Sequence, residues 1–403
     1  MTTRTIPEIV SKGYCTGCGI CASVLGEGKV RMQISSEGNM RPHVVAQISS
    51  GESAQVQAIC PGVTLQHESS QTGSDPIWGV LHTVRTGYAL TADVRNVGSS
   101  GGVLSAIALH LLENAKVDFV AQIAASATDP LMNVMQLSRS REDVLHAAGS
   151  RYGPSAPLAR LDEMLESGQT FALIGKPCDV AAVRRLSLTD KRVLSQVRYL
   201  LSFMCAGVPS VVGTHELIRE LGVDLSELKS FRYRGNGWPG MATAVAKDDR
   251  VAEMDYAKSW GTILNRHLQF RCKICPDGTG EFADVVCADA WYGKDGYPDF
   301  EEREGRSLVI ARTASGEDLI QDAVKAGAIA VSDLDPREIS RMQPYQLSRK
   351  QFLLGRLLAT RLRLGWAPRY RNLNLLKASL TANPVDWLRN TIGTFRRAKG
   401  EGR

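Results

Sequence analysis

FALIGKPCDVAAVRRLSLTDKRVLSQVRYLLSFMC (residues 171–205) is the stretch of sequence that decides the fold. It begins with five apolar or small residues that predict a buried strand, and a helical pattern follows from about residue 179 to 187. RYLLSFMC (198–205) predicts a second strand. A strand, a helix and another strand in this order predict neighbouring parallel strands, so the segment indicates an α/β fold.

The same alternation continues towards the N-terminus. RTGYALTA (85–92) and VDFVAQIAA (117–125) predict strands, and VLSAIALHLLENA (103–115) between them has the apolar spacing of a helix. Further helices are predicted at REDVLHAAG (141–149) and near 157–166. We therefore expect an α/β core with a largely parallel sheet.

The bulk composition is that of a globular protein. The chain has 403 residues, of which 43% are hydrophobic, and no run approaches the ~20 apolar residues that span a bilayer. The start MTTRTIPEIV lacks the apolar run of a secretory signal, so a cytoplasmic location is expected. Nine cysteines in such a chain indicate metal ligands rather than disulfides.

CTGCGIC (15–21) has the cysteine spacing of a ferredoxin, but the fourth cysteine of the bacterial ferredoxin run is missing. Cys60, followed by Pro61, is the candidate fourth ligand, because a predicted hairpin in 28–48 would return the chain to its start. The run therefore predicts a 4Fe-4S cluster on Cys15, Cys18, Cys21 and Cys60. A zinc site is the competing interpretation, although zinc ligands usually come as two separated pairs.

A second group of cysteines depends on the fold. Cys178 follows the strand FALIG and Cys205 ends the strand RYLLSFMC, so a parallel sheet would place both at one edge. Cys272 and Cys275 of RCKICPD would complete four ligands for a second cluster. The alternative is that Cys178 and Cys205 are buried small residues. Cys287 lies in an apolar run and is expected to be a core thiol, although it could replace one of the four ligands.

GSSGGV (98–103) at a helix start is a candidate phosphate site. Small residues allow the backbone N–H groups to approach an anion, and the helix dipole favours it. The alternative is a simple helix cap. The run is not the dinucleotide-fold fingerprint, so a nicotinamide cofactor is not indicated.

The C-terminal segment is strongly basic. Residues 336–403 carry 15 Lys and Arg against 3 Asp and Glu, and QFLLGRLLATRLRLGW (351–366) mixes Leu with Arg at helical spacing. A basic helical tail of this kind suits peripheral contact with a membrane or with an acidic partner protein. The alternative is a helix packed on the body with a solvated basic face. No nucleic-acid-binding motif accompanies the charge, so nucleic acid is not an expected partner.

Several segments together resemble the family of the coenzyme F420 hydrogenase/dehydrogenase beta subunit, which includes 7-hydroxymethyl chlorophyll a reductase and the ferredoxin-dependent divinyl chlorophyllide reductase. The resemblance covers roughly residues 10–335, through CTGCGIC, CPG, VRNVGSSGGVLSAIALHLLE, SRYGPS, GKPCDVAAVRRL, FMCAGVPS, FRYRGNGWPG and CKICPDGTGEFADVVCADAW. Family members bind FAD and one or more 4Fe-4S clusters, which implies both cofactors here. The resemblance places these residues at the flavin site: Ser99, Ser100, Gly101, Gly102, Ser150, Tyr152, Gly175 and Lys176. It makes Arg234, Trp238 and Gly240 candidates for the active-site wall; the alternative is a turn with a packed tryptophan.

The function that the resemblance implies is that of a flavin and iron-sulfur oxidoreductase. Electrons would come from ferredoxin, or from reduced F420, and pass through two 4Fe-4S clusters to FAD and a small organic substrate. One alternative is an electron-transfer beta subunit of a larger complex, and another is a zinc-stabilised binding protein without redox activity. Tyr152, His267 and Asp289 are candidate proton donors, of which none is assigned.

Four segments are expected. They are a ferredoxin-like module (1–80), a flavin-binding part of the core (81–165), the rest of the core with the second cluster (166–335) and the basic helical tail (336–403). A partner subunit or a homo-oligomer is compatible with this organisation.

Overall fold

The computed structural model describes residues 3–68, 74–294 and 297–398. The N-terminal segment contains two helices, a hairpin, a third helix and a short strand. These elements are α1 (Ile6–Ser11), α2 (Ile20–Leu25), β1 (Val30–Ile34), β2 (Met40–Val44), α3 (Ser50–Ile59) and β3 (Thr64–Gln66). The hairpin predicted within 28–48 is confirmed, because β1 and β2 pair antiparallel with Val30 opposite Val44.

The middle of the chain alternates strands and helices. The first half contains β4 (Thr83–Ala89), α4 (Ala92–Val97), α5 (Val103–Glu113), β5 (Phe119–Ala125), β6 (Asn133–Ser138), α6 (Arg141–His146), α7 (Leu161–Glu166), β7 (Phe171–Gly175), α8 (Pro177–Leu186), α9 (Lys191–Gln196) and β8 (Val197–Phe203). The second half contains α10 (Val211–Glu220), β9 (Leu228–Arg232), β10 (Ala242–Ala246), β11 (Val251–Met254), α11 (Tyr256–Lys258), α12 (Phe270–Lys273), β12 (Val285–Asp289), β13 (Gly293–Lys294), β14 (Tyr297–Pro298), β15 (Ser307–Ala311), α13 (Ala314–Lys325) and β16 (Ile329–Asp333).

The described residues form a large sheet in the order β16-β4-β15-β12-β8-β7-β5-β6. Its centre is parallel, because β12, β8, β7 and β5 all run in the same direction. The edges are antiparallel on both sides. The expected α/β class is thus confirmed, with parallel pairing concentrated in the middle of the sheet.

Alternating side chains of the central strands enter two cores. Phe171 and Leu173 of β7 point into one apolar cluster, whereas Ala172 and Ile174 point into the other. A strand buried on both faces has no polar alternation, which is why FALIG reads as a continuous apolar run. Helix α8 covers the first face and α5 the second, so the sheet lies between two helical layers.

A smaller antiparallel sheet, in the order β11-β10-β9, has its own apolar cluster. The cluster includes Phe231 and Tyr233, and FRYRGNGWPG (231–240) covers the end of β9 and most of its connection to β10. The connection itself is 233–241, because Phe231 and Arg232 end β9, and it contains the predicted wall residues Arg234, Trp238 and Gly240.

The C-terminal segment packs on the N-terminal segment. It contains α14 (Ile339–Met342), α15 (Pro344–Gln351), α16 (Leu353–Leu364), β17 (Arg369–Arg371), α17 (Leu375–Leu380) and α18 (Pro384–Arg397). Strand β17 pairs parallel with β3, and the Tyr14 hydroxyl donates a hydrogen bond to the Trp366 carbonyl at 2.5 Å. Among the described residues, no helix is long and apolar enough to cross a membrane.

One apolar cluster draws side chains from all four segments expected from the sequence. Cys18, Phe119, Phe171 and Ile339 all belong to it. The four segments therefore contribute side chains to one shared core, and the boundaries between them do not separate independent cores. Residues 1–2 and 69–73 of the ferredoxin-like module expected over 1–80 lie outside the described residues.

Candidate functional site

The carboxyl ends of three parallel strands meet at one edge of the large sheet. β7 ends at Gly175, β8 ends two residues before Cys205, and β12 ends at Asp289. β8 lies between the other two and pairs with both. The expectation that Cys178 and Cys205 follow neighbouring parallel strands is therefore correct, and this edge is where open α/β sheets bind ligands.

A cavity of about 1720 Å³ opens at this edge. Most of the predicted flavin residues line it: Ser99, Ser100, Gly102, Ser150, Tyr152, Gly175, Lys176 and Arg234. Gly101, Trp238 and Gly240 are not among the lining residues. The volume exceeds that of most small-molecule pockets, which hold about 300–1,000 Å³, so a large cofactor together with a substrate would fit.

The Ser99–Gly102 loop forms one wall of the cavity and leads into α5. Ser99 Oγ accepts a hydrogen bond from the Ser150 backbone N–H at 2.5 Å, which ties this loop to the SRYGPS loop. Gly102 has a φ of 72°, and no side chain caps the helix that begins after it. A Cβ at Gly102 would lie 2.6 Å from the Val94 carbonyl oxygen, so only glycine fits this turn. The uncapped start of α5 leaves N–H groups for an anionic ligand.

Gly101 has a packing role behind the cavity wall. Its N–H donates to Ser307 Oγ at 2.9 Å, and its carbonyl accepts from the Ala89 N–H at 2.7 Å. A Cβ there would lie 2.7 Å from the Gly87 carbonyl oxygen. The loop is therefore closely packed against β4 and β15. This packing accounts for glycine at position 101 and does not require a bound ligand.

Lys176 is a buried cation at the end of β7. Its Nζ lies 2.7 Å from Asp179 Oδ2 and donates to Ser155 Oγ at 3.3 Å. Burial alone would lower the pKa of Lys176, but Asp179 and the nearby Cys178 and Cys205 raise it above its usual value. Lys176 therefore keeps a positive charge between the cavity and the second cysteine group.

Arg234, which is buried, and Asp289, which is 18% exposed, form an ion pair in a second part of the cavity lining. Arg234 donates through both terminal nitrogens to the two Asp289 oxygens, at 3.0 and 2.9 Å. The Trp238 indole N–H also donates to Asp289, at 2.7 Å, and Tyr152 Oη accepts from Arg234 at 3.3 Å. Trp238 therefore acts through Asp289, and the Asp289 carboxylate is fully engaged in positioning these groups.

Gly240 closes the turn behind this pair. Its φ is 72°, and its N–H donates to a Glu302 carboxylate oxygen at 3.2 Å. The Trp238 N–H donates to the other Glu302 oxygen at 2.6 Å. Gly240 thus supports the wall from outside the cavity.

Aromatic side chains that the sequence did not single out complete the cavity. Tyr256, Trp260, Trp291 and Phe300 line it together with Tyr152. Arg234 lies over the Tyr256 ring at 4.6 Å, and Trp291 stacks on Trp238 at 4.8 Å. Only a three-dimensional arrangement reveals this group, because its members come from the SRYGPS loop, from α11 and the turn after it, and from the segments that follow β12 and β14.

His267, a candidate proton donor, also lines the cavity. Its Nε2 lies 2.9 Å from a Glu216 carboxylate oxygen. The pair spans α10 and the turn before α12, and a Cβ at Gly213 would lie 2.8 Å from the His267 Cβ. His267 is therefore closely packed beside the cavity, and no proton donor is assigned.

The first cysteine group lies in the N-terminal segment. Cys15 and Cys18 precede α2, and Cys21 is the second residue of α2. Cys60 directly follows α3. Burial and then the charges of Cys15, Cys18 and Cys60 hold the pKa of Cys21 well above its usual value. The four thiols therefore lie within electrostatic reach of one another, across the intervening hairpin.

Local backbone geometry supports this arrangement. Gly17 has a φ of 77°, and its N–H donates to Cys15 Sγ at 3.4 Å. Gly19 has a φ of 87°, and a Cβ there would lie 2.7 Å from the Ala159 nitrogen. The glycines of CTGCGIC are thus required by the turn that brings its cysteines together.

The second cysteine group combines the sheet edge with α12. Burial and then Cys272 raise the pKa of Cys205 to about 12, and Cys275 adds to this effect. Cys205 and Cys275 likewise help to raise the pKa of Cys178, after burial and Asp179. Cys272 Sγ accepts hydrogen bonds from the Val208 N–H at 3.4 Å and the Gln269 side chain at 3.5 Å. The four predicted residues therefore come together, and Cys205 also lines the cavity.

Cys287 is a core thiol, as expected from its apolar run. It lies on β12, belongs to an apolar cluster and is 5% exposed. Burial raises its pKa to about 12. Cys287 also lines the cavity, but burial is the only cause of its raised pKa, whereas other cysteines of the second group act on Cys178 and Cys205. These contacts favour the four predicted ligands of the second group over Cys287.

Two buried arginines beside the cysteines were not found from the sequence. Arg271 donates to the Pro61 carbonyl at 2.8 Å, and Arg349 donates to the Cys205 carbonyl at 2.8 Å. The charges of both residues act on Cys272 and Cys275. RCKIC contains Arg271 beside a cysteine, but nothing in the sequence connects Arg349 of α15 with the site.

These surroundings fit iron-sulfur clusters on the cysteines. Within the described chain, the Nε atoms of Arg271 and Arg349 are buried and have no hydrogen-bond partner. A thiolate-bound cluster is anionic and offers sulfur acceptors, so it would compensate both buried cations. Among the described residues, no three of His, Cys, Asp and Glu are arranged to hold a single metal ion. A cubane cluster uses a wider arrangement, because each thiolate binds a different iron.

Comparison with protein families identifies two consecutive matches. The model of the N-terminal part of the coenzyme F420 hydrogenase/dehydrogenase beta subunit matches residues 84–162. The model of its C-terminal part matches residues 168–337. The Ser99–Gly102 loop and the Arg234–Asp289 pair lie within these matches. The first cysteine group and most of the C-terminal segment, including the cavity-lining residues Tyr345 and Arg397, lie outside them.

Three relatives carry names that refer to coenzyme F420. The coenzyme F420-dependent sulfite reductase of Methanocaldococcus jannaschii is 24% identical over 85% of this chain and 50% of its own length. The coenzyme F420 hydrogenase subunit beta of Methanococcus voltae is 26% identical over 64% of this chain and 86% of its own length. The protein of the same name from Methanosarcina barkeri is 22% identical over 65% of this chain and 85% of its own length. This chain therefore spans half the length of the sulfite reductase and most of the two hydrogenase subunits.

A solved structure shares the fold. A chain of the F420-reducing NiFe hydrogenase complex from Methanosarcina barkeri aligns with a TM-score of 0.56 and 20% identity. The alignment covers 73% of this chain and 98% of that chain. At this identity the likeness concerns the arrangement of the backbone.

Proposed function

Because this chain belongs to the family of the coenzyme F420 hydrogenase/dehydrogenase beta subunit, we propose that it is an electron-transfer subunit of an F420-linked oxidoreductase complex. The relatives favour this alternative over the stand-alone reductase that the sequence first suggested, because two of them are named as subunits. In this proposal the chain exchanges electrons between F420 and a partner protein.

The observation that carries the proposal is the position of the second cysteine group at the cavity. Cys205 lines the cavity, and Lys176 lies between the cavity and Cys178. A ligand in the cavity would therefore lie next to a candidate redox centre. Arg271 links this centre to the first group, because it lies beside Cys272 and contacts the Pro61 carbonyl next to Cys60.

The proposed cofactors are FAD in the cavity and one 4Fe-4S cluster on each cysteine group. When bound, the flavin supplies two-electron chemistry and the clusters supply one-electron chemistry. The uncapped start of α5 would hold an anionic part of the cofactor, and the aromatic walls would enclose its ring and exclude water. Arg234, Asp289 and Trp238 keep their part of the cavity lining rigid through shared hydrogen bonds.

The first test is the cofactor content of anaerobically purified protein. We expect bound flavin and about eight irons per chain, because two cubane clusters contain four irons each. Reduced F420 should bleach the flavin and cluster absorbance, and ferredoxin should be tested as the alternative donor. Stoichiometric zinc without iron would contradict the proposal and favour a binding protein without redox activity. About four irons would contradict the two-cluster assignment.

A cavity-filling variant separates flavin binding from cluster binding. Ser105, in the first turn of α5, lines the cavity, so Ser105→Phe should expel the flavin and retain the iron. Glu113→Phe places the same side chain at the exposed other end of α5 and should retain both. Equal flavin content in the two variants would contradict the assignment of the cavity as the flavin site.

Purification from the native source tests the subunit role. Stable co-purification with another oxidoreductase subunit would support it. Isolation of this chain alone, with full turnover of a small organic substrate, would support the stand-alone reductase.

A further inference from the structure

The C-terminal helices expose an unusual number of large apolar side chains. On α18, the residues Val385, Leu388, Ile392 and Phe395 are 64%, 55%, 44% and 42% exposed. They define what we call the apolar stripe. Leu358 and Leu362 of α16 are also exposed. Single exposed apolar residues are common, but a continuous row on one helix indicates an interaction surface.

The stripe follows the helical repeat. Its members are spaced by three, four and three residues, which places them on one face of α18. A different face packs on α16, because a Cβ at Gly355 would lie 2.9 Å from the Trp387 ring. The buried Thr394 marks the same packed face. Packing of the helix within the protein therefore does not require the stripe.

Arginines border the stripe. At about 100° per residue, Arg389 and Arg396 lie beside its apolar members on the helix surface. Arg389 has an exposed ion pair with Asp386 at 3.2 Å, and such pairs are weak. The Arg363 side chain of α16 lies over the Phe395 ring at 5.7 Å, so positive charge also reaches the stripe from the neighbouring helix.

The charge of the whole segment has the same sign. Residues 336–403 contain 15 Lys and Arg against 3 Asp and Glu. An apolar row with arginines beside it, here Arg389 and Arg396, is the pattern of helices that lie in a membrane interface. The centres of protein interfaces are instead depleted of charge and enriched in aromatic residues.

We propose that α18 docks this chain on an anionic membrane surface, with the apolar stripe inserted shallowly and the flanking arginines at the lipid headgroups. The sequence made 351–366 a candidate for membrane contact, with a helix packed on the body as the alternative. In the structure, α16 packs on the body through buried residues that include Leu353, Ala359 and Leu364. The structure therefore assigns the contact to 384–397. The assignment does not rest on the proposed electron-transfer function.

Vesicle co-sedimentation of the full chain with its cofactors tests the assignment. The chain should sediment with vesicles of phosphatidylcholine and phosphatidylserine, and much less with phosphatidylcholine alone. Added salt should weaken binding, because headgroup attraction is screened. A chain that remains in the supernatant with the anionic vesicles would overturn the proposal.

Charge introduction in the stripe supplies the specific test. Leu388→Glu with Ile392→Glu should lower vesicle affinity at least about tenfold, since two apolar contacts are lost and two anions face the lipid. The matched control is Leu188→Glu with Leu194→Glu, which changes two exposed leucines elsewhere and should retain binding. Equal loss in both variants would overturn the proposal.

Light scattering tests the competing interpretation, in which a second copy of this chain covers the apolar stripe instead of a membrane. Both variants should have the same mass and unfolding temperature as the original chain. A concentration-dependent dimer that disappears only in the stripe variant, together with no vesicle binding, would overturn the membrane assignment and identify a dimer interface.

Discussion

The two cysteine groups differ in the charges that surround them. At the second group, Lys176, Arg271 and Arg349 are buried cations whose charges act on its thiols. At the first group, Arg271 acts on Cys60, and the Asp179 carboxylate acts unfavourably on Cys18. Nearby positive charge stabilises the more negative, reduced form of a cluster. The difference predicts that a cluster on the second group is the easier one to reduce.

Arg271 and Asp179 lie between the groups. The charge of Arg271 reaches Cys60 of the first group and Cys178 of the second. Asp179 similarly influences Cys18 and Cys178. The two groups are thus neighbours with different environments, an arrangement that suits directional electron transfer between them.

The largest expected effect is the loss of one iron-sulfur cluster. Cys60→Ala should lower the iron content from about eight to about four per chain, because the first cluster loses a ligand that its neighbourhood cannot replace. Leu25→Ala, at the position where the ferredoxin run would have its fourth cysteine, should retain all the iron. Iron and sulfide analysis with electron paramagnetic resonance measures both. Full iron in Cys60→Ala would remove Cys60 from the ligand set.

The loop after the second group is anchored by a buried ion pair, which predicts the next effect. Lys350 contacts Glu281, and both side chains are under 5% exposed. Glu281→Gln leaves the Lys350 charge buried without its partner, so the free energy of unfolding should fall by about 3–5 kcal/mol. The exposed pair of Lys229 and Asp249 supplies the control, because Asp249→Asn should cost less than about 1 kcal/mol. Chemical denaturation followed by fluorescence checks both values.

The same pair predicts a pH dependence. Burial alone would raise the pKa of Glu281, but Lys350 and His67 lower it from 4.5 to about 2. A depressed carboxyl pKa stabilises the fold above the unfolded value, and this stabilisation is lost as the pH falls from about 4.5 to about 2. Glu281→Gln should lack this component of the acid denaturation curve. An unchanged curve would contradict the assignment.

A smaller effect is expected on the reduction potential of the second cluster, and none on that of the first. Arg349→Gln removes a cation from the second group only, so the reduction potential of that cluster should fall while that of the first stays unchanged. Arg349→Lys should restore most of the potential, because it retains the charge. Redox titration monitored by electron paramagnetic resonance measures the shift. Equal shifts in Gln and Lys variants would indicate a structural role through the Cys205 carbonyl instead.

The smallest effect is expected at Cys287. Its replacement by alanine should leave the iron content and both potentials unchanged, with a loss of about 1 kcal/mol of stability from the buried sulfur. Metal analysis and thermal unfolding check this. Loss of iron in Cys287→Ala would return this residue to the ligand set and remove one of the other cysteines.

Local pattern predicted much of the fold. FALIG is the strand β7 without change, and α5 begins at Val103, where its apolar repeat begins. The predicted start of α8, at about residue 179, was slightly late. The helix starts at Pro177, because proline suits the first turn of a helix. The antiparallel edges of the sheet were not predicted, because the pairing partner of a strand is not a local property.

The sequence by itself determined the α/β core, the two sets of cysteines and the glycines of the loop before α5, because spacing and backbone requirements are local. Only the tertiary structure revealed that Arg349 of the tail contacts Cys205, that Asp289 holds Arg234 and Trp238, and that the apolar stripe of α18 is exposed. These contacts join residues far apart in the chain. Which distant segments meet depends on packing of the whole core, and neither periodicity nor composition specifies that.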